Sequence, residues 1–478
     1  MARILLINPT YSERSLQKSI PNNLLAVAAV LQQNGHKIQI VDSHSMYYNP
    51  EQAFQAITNL KFDIIGISGI TTAYSFFKKF VKLFRQEYGS TIPIMAGGPI
   101  AATMPEIFLK YIDADAVCTG CGEPVVNELV DGLLHKRPLD NLGGIAYREG
   151  NGFVVKPGLR VNDMDKEVPI PPYDLLNMDR YRRDDKKRTL ELAFNSSRGC
   201  PFNCAFCSPG FGRGYIKHSV DNFIERVAFA VEKYSPDLFR ITDELFTANN
   251  KWVIEFCEKY RQSGMGLPWM VASRVNTVDK ELLSVMKDAG CYQIGYGIES
   301  GSPVILKEIN KKVTVEQNLR AMQITKEVGM EVGVCILLGA PSETEETIEE
   351  TKSMLIEADI REFGINFPTA YPGSSLFEYA VSKGLIQDID KYLLKTCCNA
   401  DKLLINYTNL DDSTLKRKKI ELVKDVAYAW HIKRGILCLL GYKLKLRLRN
   451  VKNAINLLRE KGFIALLSKI AERVRRKT

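Results

Sequence analysis

The 478 residues predict an α/β protein: a doubly wound parallel sheet, then a partial (β/α)6 barrel, then a basic helical tail. Three observations carry this. Short β-branched runs alternate with amphipathic stretches through the first 140 residues. The alternation resumes at longer spacing from about 190 to 400. Past residue 410, Lys and Arg interleave with Leu, Ile and Val. The expected divisions are 1–140, a hairpin and linker over 141–188, a second α/β unit over 189–400, and the tail over 401–478.

In the first unit the strand-like runs are 3–8, 37–41, 63–68, 92–96 and 114–119. Amphipathic stretches at 22–33, 51–60, 74–88, 105–111 and 124–134 separate them. In such sheets ligands bind beyond the carboxyl ends of the strands. Those ends carry small and polar residues: Pro9 and Thr10 after the first, Ser68 and Thr71 after the third, Gly97 and Gly98 after the fourth, Gly120, Gly122 and Glu123 after the fifth. Glycine lets a backbone approach a large ligand closely. Taken singly, each loop is ordinary turn chemistry. Cys118 and Cys121 form a C-x2-C with no second pair, so they read as a loop coincidence. His44 reads as a solvated loop residue.

A hairpin is expected around Gly150-Asn151-Gly152. After it, Val168-Pro169-Ile170-Pro171-Pro172-Tyr173 is a linker held extended by its prolines.

The second unit opens on Leu192-Ala193-Phe194. Further strands are expected at 238–242, 269–272, 293–298, 331–338 and 362–367, with functional groups at their carboxyl ends. Asp243 and Glu244 end the second of these six strands, Arg274 follows the third and Glu299 ends the fourth. Glu299 reads as functional, because a carboxylate closing an apolar strand is costly unless it is used. Ser342 and Thr344 read as helix caps.

Directly after the first strand comes Ser196-Ser197-Arg198-Gly199-Cys200-Pro201-Phe202-Asn203-Cys204-Ala205-Phe206-Cys207. Its cysteines are spaced C-x3-C-x2-C. Thiolates hold iron–sulfur clusters, and a four-iron cubane wants four. Three local thiolates therefore leave one iron open to a substrate or cofactor. Zinc takes four protein ligands in structural sites, and His218 is the nearest candidate fourth. The remaining cysteines show no repeated ligand spacing, so a second cluster is unsupported.

The cysteine stretch resembles the radical S-adenosylmethionine (SAM) superfamily, whose pattern is C-x3-C-x-aromatic-C; Phe206 fills the aromatic position. The resemblance implies a [4Fe-4S] cluster on Cys200, Cys204 and Cys207 whose open iron chelates SAM. One electron then cleaves SAM to a 5′-deoxyadenosyl radical. It also implies SAM contacts by Phe206, Asp243, Glu244, Arg274 and Glu299, and an external electron donor of flavodoxin or ferredoxin type. Together, the glycine-rich ends of the first unit resemble the flavodoxin-like cobalamin-binding domain of cobalamin-dependent radical SAM enzymes. Pro9, Thr10, Ser68, Thr71, Gly97, Gly98, Gly120, Gly122 and Glu123 are then its cofactor contacts. The D-x-H-x-x-G that ligates cobalt in other cobalamin domains does not follow the first strand, so a His-off cobalt is expected. The implied reaction is methyl transfer to an unactivated carbon; the rival is radical cyclisation, oxidation or rearrangement without methylation.

Eleven cysteines and no secretory signal point to a cytoplasmic protein. No apolar run reaches the ~20 residues of a spanning helix. The net charge of +9 is segregated: residues 411–478 carry +13 and the rest −4. Helical patches are expected at 415–428, 452–458 and 464–475, with a strictly alternating cationic stretch at 443–449. Such a tail suits an anionic membrane surface or a solvated helical cap. The substrate expected is a small molecule or a lipid. Nucleic acid is not expected, since no recognisable binding module is present.

Overall fold

The computed structural model describes residues 1–11, 18–183, 186–208, 210, 212–396, 402–435, 438–442 and 444. Its first sheet comprises β1 (Arg3–Asn8), β2 (Lys37–Asp42), β3 (Ile64–Ser68), β4 (Ile94–Gly97), β5 (Ala116–Cys118), β6 (Ile145–Glu149) and β7 (Gly152–Val155). The spatial order is β2-β1-β3-β4-β5-β6-β7. The first five strands are parallel, the doubly wound arrangement expected. The hairpin β6–β7 pairs antiparallel with β5 and so extends this sheet rather than standing apart. β1 is apolar along its length because helices cover both faces: Ile4, Leu5, Leu6 and Ile7 are all buried. Helix Tyr74–Tyr88 covers one face through Tyr74, Phe77, Phe80, Val81 and Phe84, spaced three and four apart.

β8 (Glu191–Phe194) opens the second sheet. A short antiparallel ribbon, β9 (Ser197–Arg198) with β10 (Ile216–Lys217), brackets the cysteine loop. Then follow β11 (Leu238–Ile241), β12 (Trp269–Ser273), β13 (Cys291–Glu299), β14 (Glu331–Leu337) and β15 (Gly364–Asn366). All six sheet strands are parallel, in the order β8-β11-β12-β13-β14-β15. This is the expected half-barrel. Its core packs Phe239, Phe246, Trp252, Phe256, Tyr260 and Trp269.

Helix Asp412–Lys433 starts on the Asp411 carboxylate, which accepts from the amides of Ser413 and Thr414. It buries Leu415, Leu422 and Val426 in the half-barrel core. Arg434 closes its far end on Asp359 at 2.7 Å. This part of the basic tail is therefore a packed cap. The patches expected at 452–458 and 464–475, and all of 443–449 except Leu444, lie outside the described residues. No helix among the described residues is long and apolar enough to cross a membrane.

Candidate active site between the two sheets

The carboxyl ends of β3, β4 and β5 face those of β8 and β11 across a cavity of about 450 Å³. Ser68, Gly97, Gly98, Gly120, Gly122 and Glu123 line it from one side, and Ala193, Asn195 and Thr242 from the other. Pro9, Thr10 and Thr71 are not in its wall. The Thr10 hydroxyl instead ties two loops together, 2.9 Å from the Ser43 carbonyl and 2.6 Å from that of Tyr48. The Thr71 carbonyl accepts from Thr396. At the end of β1 the wall is made by Asn8 and Tyr11, which the sequence did not single out. Both are committed to a buried chain: Tyr11 donates to Asn8 at 2.6 Å, Asn8 donates to Asp42 at 2.6 Å, and Tyr181 donates to the second Asp42 oxygen. His44 is buried, 4.9 Å from the Tyr11 ring, which corrects its reading as solvated.

The glycines divide into two kinds. A Cβ on Gly98, whose φ is +85°, would lie 2.6 Å from the Gly69 carbonyl oxygen. One on Gly120 would lie 2.2 Å from that of Leu159. These two are demanded by the protein's own backbone. Gly97 and Gly122 meet only Cys118 at 3.9 Å and Val27 at 3.2 Å, so their bareness opens the cavity. Cys118 and Cys121 are also in the wall. Burial pushes the Cys118 thiol up to about 12, so it is protonated at neutral pH.

Across the cavity, the cysteine loop is strapped to three elements. The Ala205 amide donates to Ile309 at 2.9 Å, and the Ala205 carbonyl accepts from Leu376 at 2.8 Å. The Ser208 hydroxyl donates to Pro372 at 2.6 Å, and the Asn310 amide to Asn203 at 2.5 Å. Cys204 is buried; Cys200 and Cys207 are partly exposed. Burial, reinforced by the other two thiols, pushes Cys207 up to about 11. Among the described residues no three His, Cys, Asp or Glu side chains converge on a single ion. The C-x3-C-x2-C spacing along the chain is the one a cubane needs, with each thiolate on a different iron. His218 is not a fourth ligand. It is buried against Asp165 at 2.8 Å, and burial drives its pKa down to about 4.

The strand ends place the remaining expected residues around this loop. Asp243 is buried and accepts from the amides and hydroxyls of both Ser196 and Ser197 at about 2.5–3.1 Å. Its carboxylate therefore anchors the start of the loop; burial raises its pKa to about 6. Glu244 is exposed and accepts from the Gly210 amide at 2.8 Å. Arg274 is buried, stacked 3.8 Å over Phe202 and 3.2 Å from the Cys204 sulfur. Glu299 is buried with φ +65°, a backbone state rare for a non-glycine residue. It pairs with buried Lys311 at 2.8 Å, and Lys311 stands 5.8 Å from the Phe206 ring. Lys311 was missed because nothing in its surrounding sequence announces a buried cation. Thr344 is an N-cap with a full capping box, and Ser342 donates to Glu308 at 2.7 Å, which accounts for both without a ligand.

Glycine-bearing strand ends thus face, across the cavity, strand ends that lead into a strapped three-cysteine loop, the arrangement of a two-domain site. Comparison with known proteins narrows it. A model described as "Radical SAM superfamily" matches residues 194–355, and one described as "B12 binding domain" matches 13–130. An uncharacterised methyltransferase of Pyrococcus horikoshii is 31% identical over 454 residues, spanning 91% of this chain and 97% of the relative. The anaerobic magnesium-protoporphyrin IX monomethyl ester cyclase of Rubrivivax gelatinosus is 27% identical, spanning 82% and 72%. In fold, the chain is similar to the radical SAM methyltransferase TsrM of Kitasatospora setae, solved with cobalamin and a [4Fe-4S] cluster bound. The TM-score is 0.66 at 17% identity, over 80% of this chain and 75% of that one. The chain belongs to the radical SAM superfamily, in the branch that carries a B12-binding domain. The cofactors of that branch are a [4Fe-4S] cluster, SAM and cobalamin.

Proposed function

We propose that this enzyme methylates an unactivated carbon of a small molecule, with Cys200, Cys204 and Cys207 holding the cluster and the cavity holding cobalamin. The observation that carries the reading is the shared cavity. Gly97 and Gly122 lie in one wall, and Asn195 and Thr242, flanking the cysteine loop's anchor Asp243, lie in the other. When bound, the three groups supply one-electron cleavage of SAM, hydrogen-atom removal and a methyl donor. The chain's own residues hold and orient. Asp243 fixes the loop ahead of Cys200, and Arg274 keeps a guanidinium beside Cys204. Arg274, Glu244 and Glu299 are the polar groups offered to SAM, with Phe206 packed beneath Lys311. Ser68, Gly97, Gly98, Gly120, Gly122 and Glu123 form the cobalamin wall; Thr10 holds the neighbouring loops through the Ser43 and Tyr48 carbonyls. An external flavodoxin or ferredoxin supplies electrons to this cytoplasmic enzyme.

Label from methyl-labelled SAM is expected in the product, together with 5′-deoxyadenosine. An oxidised or cyclised product without label would replace this reading with the second one, which the cyclase relative favours. The finer proposal is that the tail brings the enzyme to anionic membranes and a lipid substrate. Each basic residue near such a surface contributes about 1 kcal/mol, and the exposed face of helix Asp412–Lys433 adds Ile420, Val423 and Tyr428. Full-length protein should sediment with anionic vesicles more than a 1–444 truncation, which keeps the packed helix. Equal sedimentation removes the claim for residues 445–478, and no sedimentation by either protein removes the membrane claim.

A further inference from the structure

One charged pair belongs to neither cofactor loop alone. Arg198 donates to Glu123 at 2.6 Å, and both side chains are about 95% buried. Glu123 is in the cavity wall, at the end of Gly120-Cys121-Gly122-Glu123. Arg198 stands two residues before Cys200. The same guanidinium also reaches to 4.0 Å from the Cys121 sulfur. The pair thus joins the loop after β5 to the loop after β8.

Both partners ride on backbone that is itself held. The Cys121 amide donates to the Leu159 carbonyl at 2.9 Å, and Gly120 is pressed on that residue. On the other side, Ser196 and Ser197 are fixed by Asp243, and Arg198 pairs with Ile216 in the β9–β10 ribbon. A shift of either loop therefore reaches the other through this contact instead of dissipating. Desolvating two charges makes a buried pair a poor way to gain stability, and its best-attested use is to fix register between elements. A second tie of the same sense lies nearby: the Asn22 side chain donates across to the Ala193 carbonyl at 2.6 Å.

We propose that Arg198 and Glu123 form a coupling clamp, so that cluster loading on the Cys200 loop, transmitted through Arg198, fixes the Glu123 side of the cavity and tightens cobalamin binding. Both are positioning residues in this role. By linkage the effect is reciprocal: cobalamin favours the cluster-competent loop by the same factor. The inference rests on the reading that the cavity takes cobalamin.

Cobalamin is titrated by absorbance into full-length protein, with and without anaerobic reconstitution of iron and sulfide. In the natural protein the cobalamin dissociation constant should fall at least about 5-fold on reconstitution, the lower end of ordinary coupling. Arg198→Met and Glu123→Gln should each abolish that difference, and Arg198→Lys should restore part of it. Iron content and the cluster's visible absorption confirm that each variant still loads a cluster. Should Arg198→Met not fold, the isosteric Glu123→Gln on the other domain decides the matter. No difference in the natural protein, or an undiminished one in Glu123→Gln, overturns the clamp. No cobalamin binding in any form overturns the cavity reading instead.

Discussion

The two sides of the candidate site are built in opposite ways. The cluster side is one contiguous segment, 196–208, just beyond the lining residue Asn195; its three candidate ligands fall within eight residues, its backbone donates to Asp243 and Ile309 and accepts from Leu376, and the Ser208 hydroxyl donates to Pro372. The cobalamin wall is gathered from the ends of four separated strands, and backbone-to-backbone approach at Gly98 and Gly120 holds it together. The first side depends on side-chain chemistry, the second on the absence of side chains. Substitutions should therefore fail differently on the two sides.

The largest effect is expected on the cluster side. Replacing Cys200, Cys204 and Cys207 together with Ala should abolish the cluster's visible absorption and all SAM cleavage, yet leave circular dichroism unchanged and cobalamin binding at the affinity of the cluster-free protein. Reductive SAM cleavage by that triple variant would remove the assignment. On the opposite wall, Gly120→Ala should lose stability, not just a ligand. A methyl 2.2 Å from the Leu159 carbonyl must displace backbone, at a cost of about 3–4 kcal/mol. Chemical denaturation of the cluster-free protein measures it, and a change below ~1 kcal/mol would contradict the packing argument.

The pH dependence sharpens the contrast, because His218 follows the cluster-side ribbon. Burial holds its pKa near 4 against an ordinary 6.5; Arg226 and Arg198 push the same way, and Asp165 opposes them. The unfolded chain takes up a proton below 6.5 while the folded chain stays neutral. The contribution of His218 is therefore complete above pH 6.5 and is lost as pH falls toward 4, by roughly 3 kcal/mol in all. A His218→Gln variant should show a flatter fall in denaturation midpoint over that window; an unchanged slope would exclude the assignment. The smallest effect belongs to a residue in neither wall. Thr344→Ala should cost about 1 kcal/mol through its lost cap and leave the loading of both cofactors unchanged. Altered cobalamin or iron content in this variant would move Thr344 into the site.

Much of this was legible in the chain. The cysteine loop was, because a cubane's thiolates must be close along the backbone to wrap one cluster. The five parallel strands and the half-barrel were, because apolar runs covered on both faces leave a plain pattern. Glu299 was singled out on cost alone, and the structure answers that cost with Lys311. Thr10 and Thr71 follow their strands as expected but lie outside the cavity lining: the Thr10 hydroxyl is held by the Ser43 carbonyl, and the Thr71 carbonyl by Thr396, both more than 30 residues away. His44 was read as solvated from its place in the loop after β2, yet it is buried, 4.9 Å from the Tyr11 ring.

By itself, the sequence determined the order of the elements, the candidate cysteine loop and the glycine-bearing strand ends. Each of these depends on residues within one turn or one strand, where periodicity and backbone preference act locally. Only the tertiary structure decided which glycines serve the cavity and which serve the backbone, that Asp243 anchors a loop, that residues 412–433 cap the half-barrel, and that Arg198 meets Glu123. Those contacts join positions from 29 to 75 residues apart or belong to different sheets. Burial and Coulomb attraction act through space, so no local pattern records them.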